Sequence, residues 1–185
     1  SLSTAQIRAL TSVQAQAITT TQLAALTSTQ SSAISTTDVQ ALYNSQLKAL
    51  NTGAVAALTT AQIAALSSDQ IVGISTNQIQ VLSTAQVQAM GADQVAKLTT
   101  GQMEKLSSSQ LRAISTTNVG VLSSDQVNAL SSTNLNLLET AQIAAISASV
   151  VAAIDTAKFA ALSTTQISAL TADQVSALTT DEVGE

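Results

Sequence analysis

At 185 residues the chain is long enough to bury one core or to form an elongated array, and its composition favours the array. Tyr43 and Phe159 are its only aromatics, and with no Trp the apolar mass is Leu, Ile, Val and Ala, which suits a thin core repeated many times. A net charge of −5 with only 9% charged residues argues against the basic stripe that phosphate recognition needs, so nucleic acid is not an expected partner.

Ser, Thr and Gln interrupt every apolar run, so no transmembrane segment is expected. The chain begins without Met and without a basic and apolar leader, so a targeting signal would have been removed or lie outside it. The absence of Cys is compatible with any redox compartment.

From Leu2 a large aliphatic residue recurs every eight residues through Leu10, Ile18 and Leu26 to Leu178, in 23 octets without an insertion. Only Met90 is neither Leu nor Ile at this first position. The second and third positions are mostly Ser or Thr, the fifth is Gln in 16 of 23, and the eighth is mostly Ala. The sixth is large and apolar except at Ala15 and Ser31. Spacing this strict marks a structural repeat.

Each octet reads as one short helix. In the first, Ser3 and Gln6 have the spacing of a capping box, in which the hydroxyl accepts from the N3 amide while the glutamine reaches back to the cap's own N–H. The following residues to the eighth position give roughly one and a half to two turns. Such a helix is unstable alone, so neighbours must stack, with the first and sixth positions forming the aliphatic interior. The expected fold is all-α, an α-solenoid of very short capped helices running as a single continuous array over residues 1–185.

Two alternatives fail on geometry. In one long helix an octet overshoots two turns by about 80°, and its period of about 4.0 residues per turn lies outside the coiled-coil range. In a strand the first and sixth positions would face opposite sides, and the six Gly are too scattered to serve as β-solenoid turns. Two helices per coil would give eleven or twelve coils and a rod of about 100 Å at ~9 Å per helix spacing; three per coil would be shorter and fatter. The octet pattern leaves both open.

Along the chain, Ile34 begins a slower rhythm that recurs at Ile74, Ile114 and Ile154, so five octets make a 40-residue super-repeat. Duplication of a block explains it, and a five-helix structural unit is the sharper reading. Between Tyr43 and Ala54 the consensus lapses, which makes this stretch the best candidate for a binding patch. From Leu58 it returns as LTTAQIAAL. Asp69, Asp93, Asp125, Asp173 and Asp181 fall in first helical turns, with Glu139 and Asp155 at cap positions. Arg8, Lys48, Lys97, Lys105 and Arg112 fall near helix ends, as the helix dipole favours. Lys158 replaces the consensus glutamine in one octet.

No catalytic, cofactor-binding or metal-ligating residues are assigned. There is no His or Cys, no Gly-rich phosphate loop, and no base set beside the hydroxyls that capping already explains. The carboxylates stand singly until the tail pair Asp181 and Glu182, which does not suit calcium. No cofactor is expected.

The runs LSTAQIRAL, LTTAQIAALSSDQI and LSTTQISALTADQVSALTTDEV resemble the octapeptide arrays of very large secreted bacterial surface proteins of the adhesin or haemagglutinin-like kind. The resemblance spans the whole chain. It implies an extracellular, elongated, structural part and supplies no functional residues.

Three functions remain as expectations. One is a structural rod, as stalk, spacer or filament subunit. Another is a surface-binding module for glycan or protein, and a third is a hydroxyl lattice for ice or mineral. The last two would use Ser, Thr and Gln ladders on the outer face. No polar cap is evident at either end, so the array is expected to continue in a longer polypeptide or to self-associate end to end.

Overall fold

A computed structural model describes residues 2–179. The helix expected in the last octet, with Asp181 and Glu182, lies outside the described residues. Among those residues there are 22 α-helices of four to six residues and no strand. Every helix starts at the third position of its octet, as in Thr4–Arg8, Thr60–Ala65 and Ala172–Ala177.

The caps explain that phase. Ser3, Thr59 and Ser67 have extended backbones, and their hydroxyls accept from the amides of Gln6, Gln62 and Gln70. The glutamine Oε1 in turn accepts from the cap N–H, at 2.8 Å for Ser3 and 2.6 Å for Thr59. Where Tyr43, Gly91 or Glu139 takes the cap position, no side chain caps the helix. There the N3 amide bonds the cap's own carbonyl, while the glutamine half of the box remains. Thr59→Ala is therefore expected to cost only ~1 kcal/mol, the worth of one cap, in denaturant unfolding.

The other end of each helix needs no glycine. Among the described residues none has positive φ. The first-position residue turns extended, as at Leu66 (φ −61°, ψ 140°), and the next cap follows it.

The chain divides into two compact units, Ser1–Lys97 and Leu98–Glu185. In the first, helices pack three apart: Ser12–Ala17 lies against Thr36–Ala41, and Thr36–Ala41 against Thr60–Ala65. The second follows the same rule, with Thr100–Lys105 against Ser124–Ala129 and Ala148–Val151 against Ala172–Ala177. Bonds between successive coils join residues 25 to 31 apart, from Gln16 to Ala41 and from Gln62 to Ser31. One turn of the coil thus takes between three and four octets. The two-helix coil does not form, and a five-helix turn does not either, so the 40-residue recurrence is not one turn of the coil.

The core falls where the octet predicts. First-position residues from Ile34 to Ile154 are buried, Met90 included, and so are sixth-position residues from Ile7 to Phe159. Each buried Leu, Ile, Val, Met or Phe among them contributes about 1.5–3 kcal/mol. Ser31 is fully buried at a sixth position, and its Oγ has no hydrogen-bond partner.

Candidate functional site: the glutamine ladder between coils

The consensus glutamine is the most distinctive polar residue of the octet, and the coil does not leave it on the surface. Thirteen of the sixteen, from Gln30 to Gln174, are at most 8% exposed. The expected outer glutamine ladder is corrected by this burial: the fifth position faces the preceding coil, so its amide lies between coils.

Its geometry answers the problem of helix ends. The last carbonyls of an α-helix have no partner within the helix. Gln62 Nε2 donates to the carbonyls of Ser31, at 3.0 Å, and Ile34, at 2.6 Å, which close a helix one coil earlier. Gln70, Gln78 and Gln94 repeat this at carbonyls 31 and 28 residues back, with Leu42, Leu50 and Leu66 each accepting at 2.7 Å. In the second unit Gln142 bonds Leu111 and Ile114, Gln166 bonds Leu135 and Leu138, and Gln174 bonds Ile143 and Ile146. With Oε1 on its own cap and both Nε2 hydrogens on carbonyls, the buried amide is fully satisfied. One side chain thus closes the start of one helix and the end of another.

Departures from glutamine show how the coil replaces it. Ala54 carries no amide, but Asn51 at the cap position caps Ala54 with Oδ1 and donates from Nδ2 to the carbonyls of Ala24 and Leu26. Asn44 reaches the carbonyl of Asp69 in the next coil and packs where Gly73 leaves room, since a Cβ on Gly73 would come within 2.8 Å of the Asn44 side chain. These departures in the Tyr43 to Ala54 stretch serve coil contacts, and Tyr43 alone is a large exposed apolar group there. Asp38 turns the ladder around: it accepts from Ser35 and from Ser12 of the neighbouring coil. Lys158 donates to the carbonyl of Asn128 and pairs with Asp155 at 3.3 Å, so its ammonium stands in for the amide. Val150 supplies no donor at all.

The remaining charges follow the helix ends. Asp69, Asp93, Asp125 and Asp173 lie in first turns, and Arg8, Lys48, Lys105 and Arg112 in last turns. Arg112 spends its Nε on the carbonyl of Leu137 in the next coil. Among the described residues no three metal-ligating side chains converge, and no helix is long and apolar enough to cross a membrane. A cup of about 540 Å³ opens at the first coil, walled by Leu2, Ile7, Leu10, Ala15, Ile18 and Leu26 with Gln6 and Gln22 at its edge.

Residues 1–28, 39–76, 68–100, 95–132 and 151–185 match the ALTTAQ repeat, together most of the chain. The chain belongs to the ALTTAQ repeat family. The hexapeptide itself stands at Ala57–Gln62, where Thr59 is the cap and Gln62 the ladder residue. The two stretches outside the ALTTAQ matches, 29–38 and 133–150, include Ser31 and Asp38 in one and Asn134 and Val150 in the other. The curated proteins contain no match to this chain.

Sequence reasoning found the cap role of the glutamine and missed the role between coils. A signal was present. A capping box takes Glu as readily as Gln, and the helix dipole favours the acid. Yet only Glu182 places a glutamate at the fifth position. An amide serves both bonds, whereas a carboxylate has no hydrogen to give the carbonyls one coil back.

Proposed function

We propose that the chain is a non-enzymatic structural element, one continuous octet-repeat array within a longer one, carried on the outside of a bacterial cell as a stalk, spacer or fibre subunit. The observation that supports this most is the ladder. Its glutamines, and the Asn51 and Lys158 that replace two of them, are engaged in joining one coil to the next. Polar chemistry spent in this way extends an array and leaves little to act on a substrate. The surface location is supported by the resemblance of the octets to those of large secreted adhesin-like proteins.

The partner that fits such an array is more of the same coil. A glycan- or protein-binding surface loses its glutamine row to burial, and Asn44, Asn51 and Ala54 in its best candidate stretch serve coil contacts.

Small-angle X-ray scattering of the purified chain tests the elongated form. The expected profile is that of an extended particle with a constant cross-section. A compact particle, with the radius of gyration of about 16 Å that a globular chain of this length would have, would overturn the reading.

A further inference from the structure

We infer that the second unit has a built-in yield point: the seam between residues 119–122 and residues 147–154 opens before the seams on either side of it. The inference concerns the coil itself and goes beyond the structural role proposed above.

The fifth position at this seam is Val150. One octet earlier, Gln142 does two things at once: it accepts from the N–H of Glu139 at 3.0 Å and donates to the carbonyls of Leu111 and Ile114. A donor at position 150 would stand opposite the carbonyls of Val119 and Leu122, 31 and 28 residues back, and valine has none to give. The carbonyl of Val119 keeps the backbone N–H of Leu122. That of Leu122, a residue only 5% exposed, has no partner among the described residues.

The helix start is equally bare. Ser147 makes no side-chain cap, and its hydroxyl instead meets that of Ser149 at 3.3 Å. Its N–H, which a glutamine Oε1 holds in the octets that keep the box, has no partner among the described residues. The amide of Val150 bonds only the carbonyl of Ser147, and the helix Ala148–Val151 is four residues long.

Other departures from glutamine retain something. Asp38, Asn118 and Asn134 keep their hydroxyl caps, Asn51 serves for Ala54, and Lys158 holds the carbonyl of Asn128. Among the described residues Val150 alone has neither cap nor tie. Packing agrees with this: Ala148–Val151 lies close on Ala172–Ala177 but only lightly on Ser124–Ala129, and Val121 in the other edge of the seam is 42% exposed. A helix this short is held by its neighbours, so the free energy of local opening follows the bonds an octet makes to the coil behind. Gln142 before the seam and Lys158 after it are both tied back, which marks out this one seam between them.

The test is amide hydrogen exchange of the full chain under native conditions, read by mass spectrometry on peptides. Val151 and Ile154 make the same backbone bonds as Ile143 and Ile146 one octet earlier, so the two octets compare like with like. Residues 147–154 are expected to exchange about tenfold faster than residues 139–146, as the loss of buried hydrogen bonds implies. Val150→Gln restores an oxygen for Ser147 and a donor for Leu122, and is expected to slow exchange on both edges, 119–122 and 147–154. Val150→Leu adds apolar bulk without a donor and is expected to exchange like wild type. Conversely, Gln142→Val is expected to open a second seam between residues 111–114 and 139–146. Equal protection of the two octets in wild type, a Val150→Gln variant no better protected than wild type, or a Val150→Leu variant protected as well as Val150→Gln overturns the inference.

Discussion

Leu66→Asp is expected to abolish the helical signal of several neighbouring octets, with a loss of more than about 4 kcal/mol. Leu66 is 3% exposed, and its carbonyl accepts from Gln94 at 2.7 Å, so the substitution puts an unpaired carboxylate at the seam of two coils. The effect spreads because short helices have no stability of their own and each coil depends on its neighbours. Far-UV circular dichroism with urea unfolding measures it. Unchanged ellipticity would show that the first position is not the core.

The second large effect is expected at Gln62→Leu. This change nearly keeps the side chain's volume and raises its apolarity, so an account based on burial alone predicts little loss. Gln62 is 2% exposed, accepts from the N–H of Thr59 at 2.6 Å, and donates to Ser31 and Ile34 at 3.0 and 2.6 Å. Leucine leaves the N–H of Thr59 and the carbonyl of Ile34 unmatched, while the carbonyl of Ser31 keeps only the backbone N–H of Ile34; at about 1–3 kcal/mol for each unmatched group, the expected loss is about 2–5 kcal/mol. It should exceed several-fold the loss from Thr59→Ala, which breaks only the hydroxyl half of the same box. Equal losses in the two variants would mean that the bonds between coils add nothing.

These two residues also mark the limit of what the sequence shows. Leu66 was legible because the first position repeats every eight residues, and a buried position leaves that trace directly. Thr59 was legible because a cap and its N3 partner lie three residues apart. Gln62 was legible by half. Its bond to Thr59 is local, but Ser31 and Ile34 lie 31 and 28 residues away, and nothing in one octet states how far the coil travels before it returns. The alternative of an outer glutamine row failed for that reason, and for the same reason the octet left coils of two and of three helices both open. Asn51 shows the same limit: beside Ala54 it reads as drift, and only the coil makes it a replacement for the missing amide.

The sequence by itself determined the secondary structure, the phase of every described helix and the two lines of residues that form the core. These depend on interactions within eleven or so neighbouring residues, where 3.6-residue periodicity and cap spacing operate. Only the tertiary structure decided the number of octets per turn and the burial of the glutamines. The reason is physical: the pitch of the coil is set where the helix-end carbonyls of one turn meet the amides of the next, and that meeting exists only once the chain has come round.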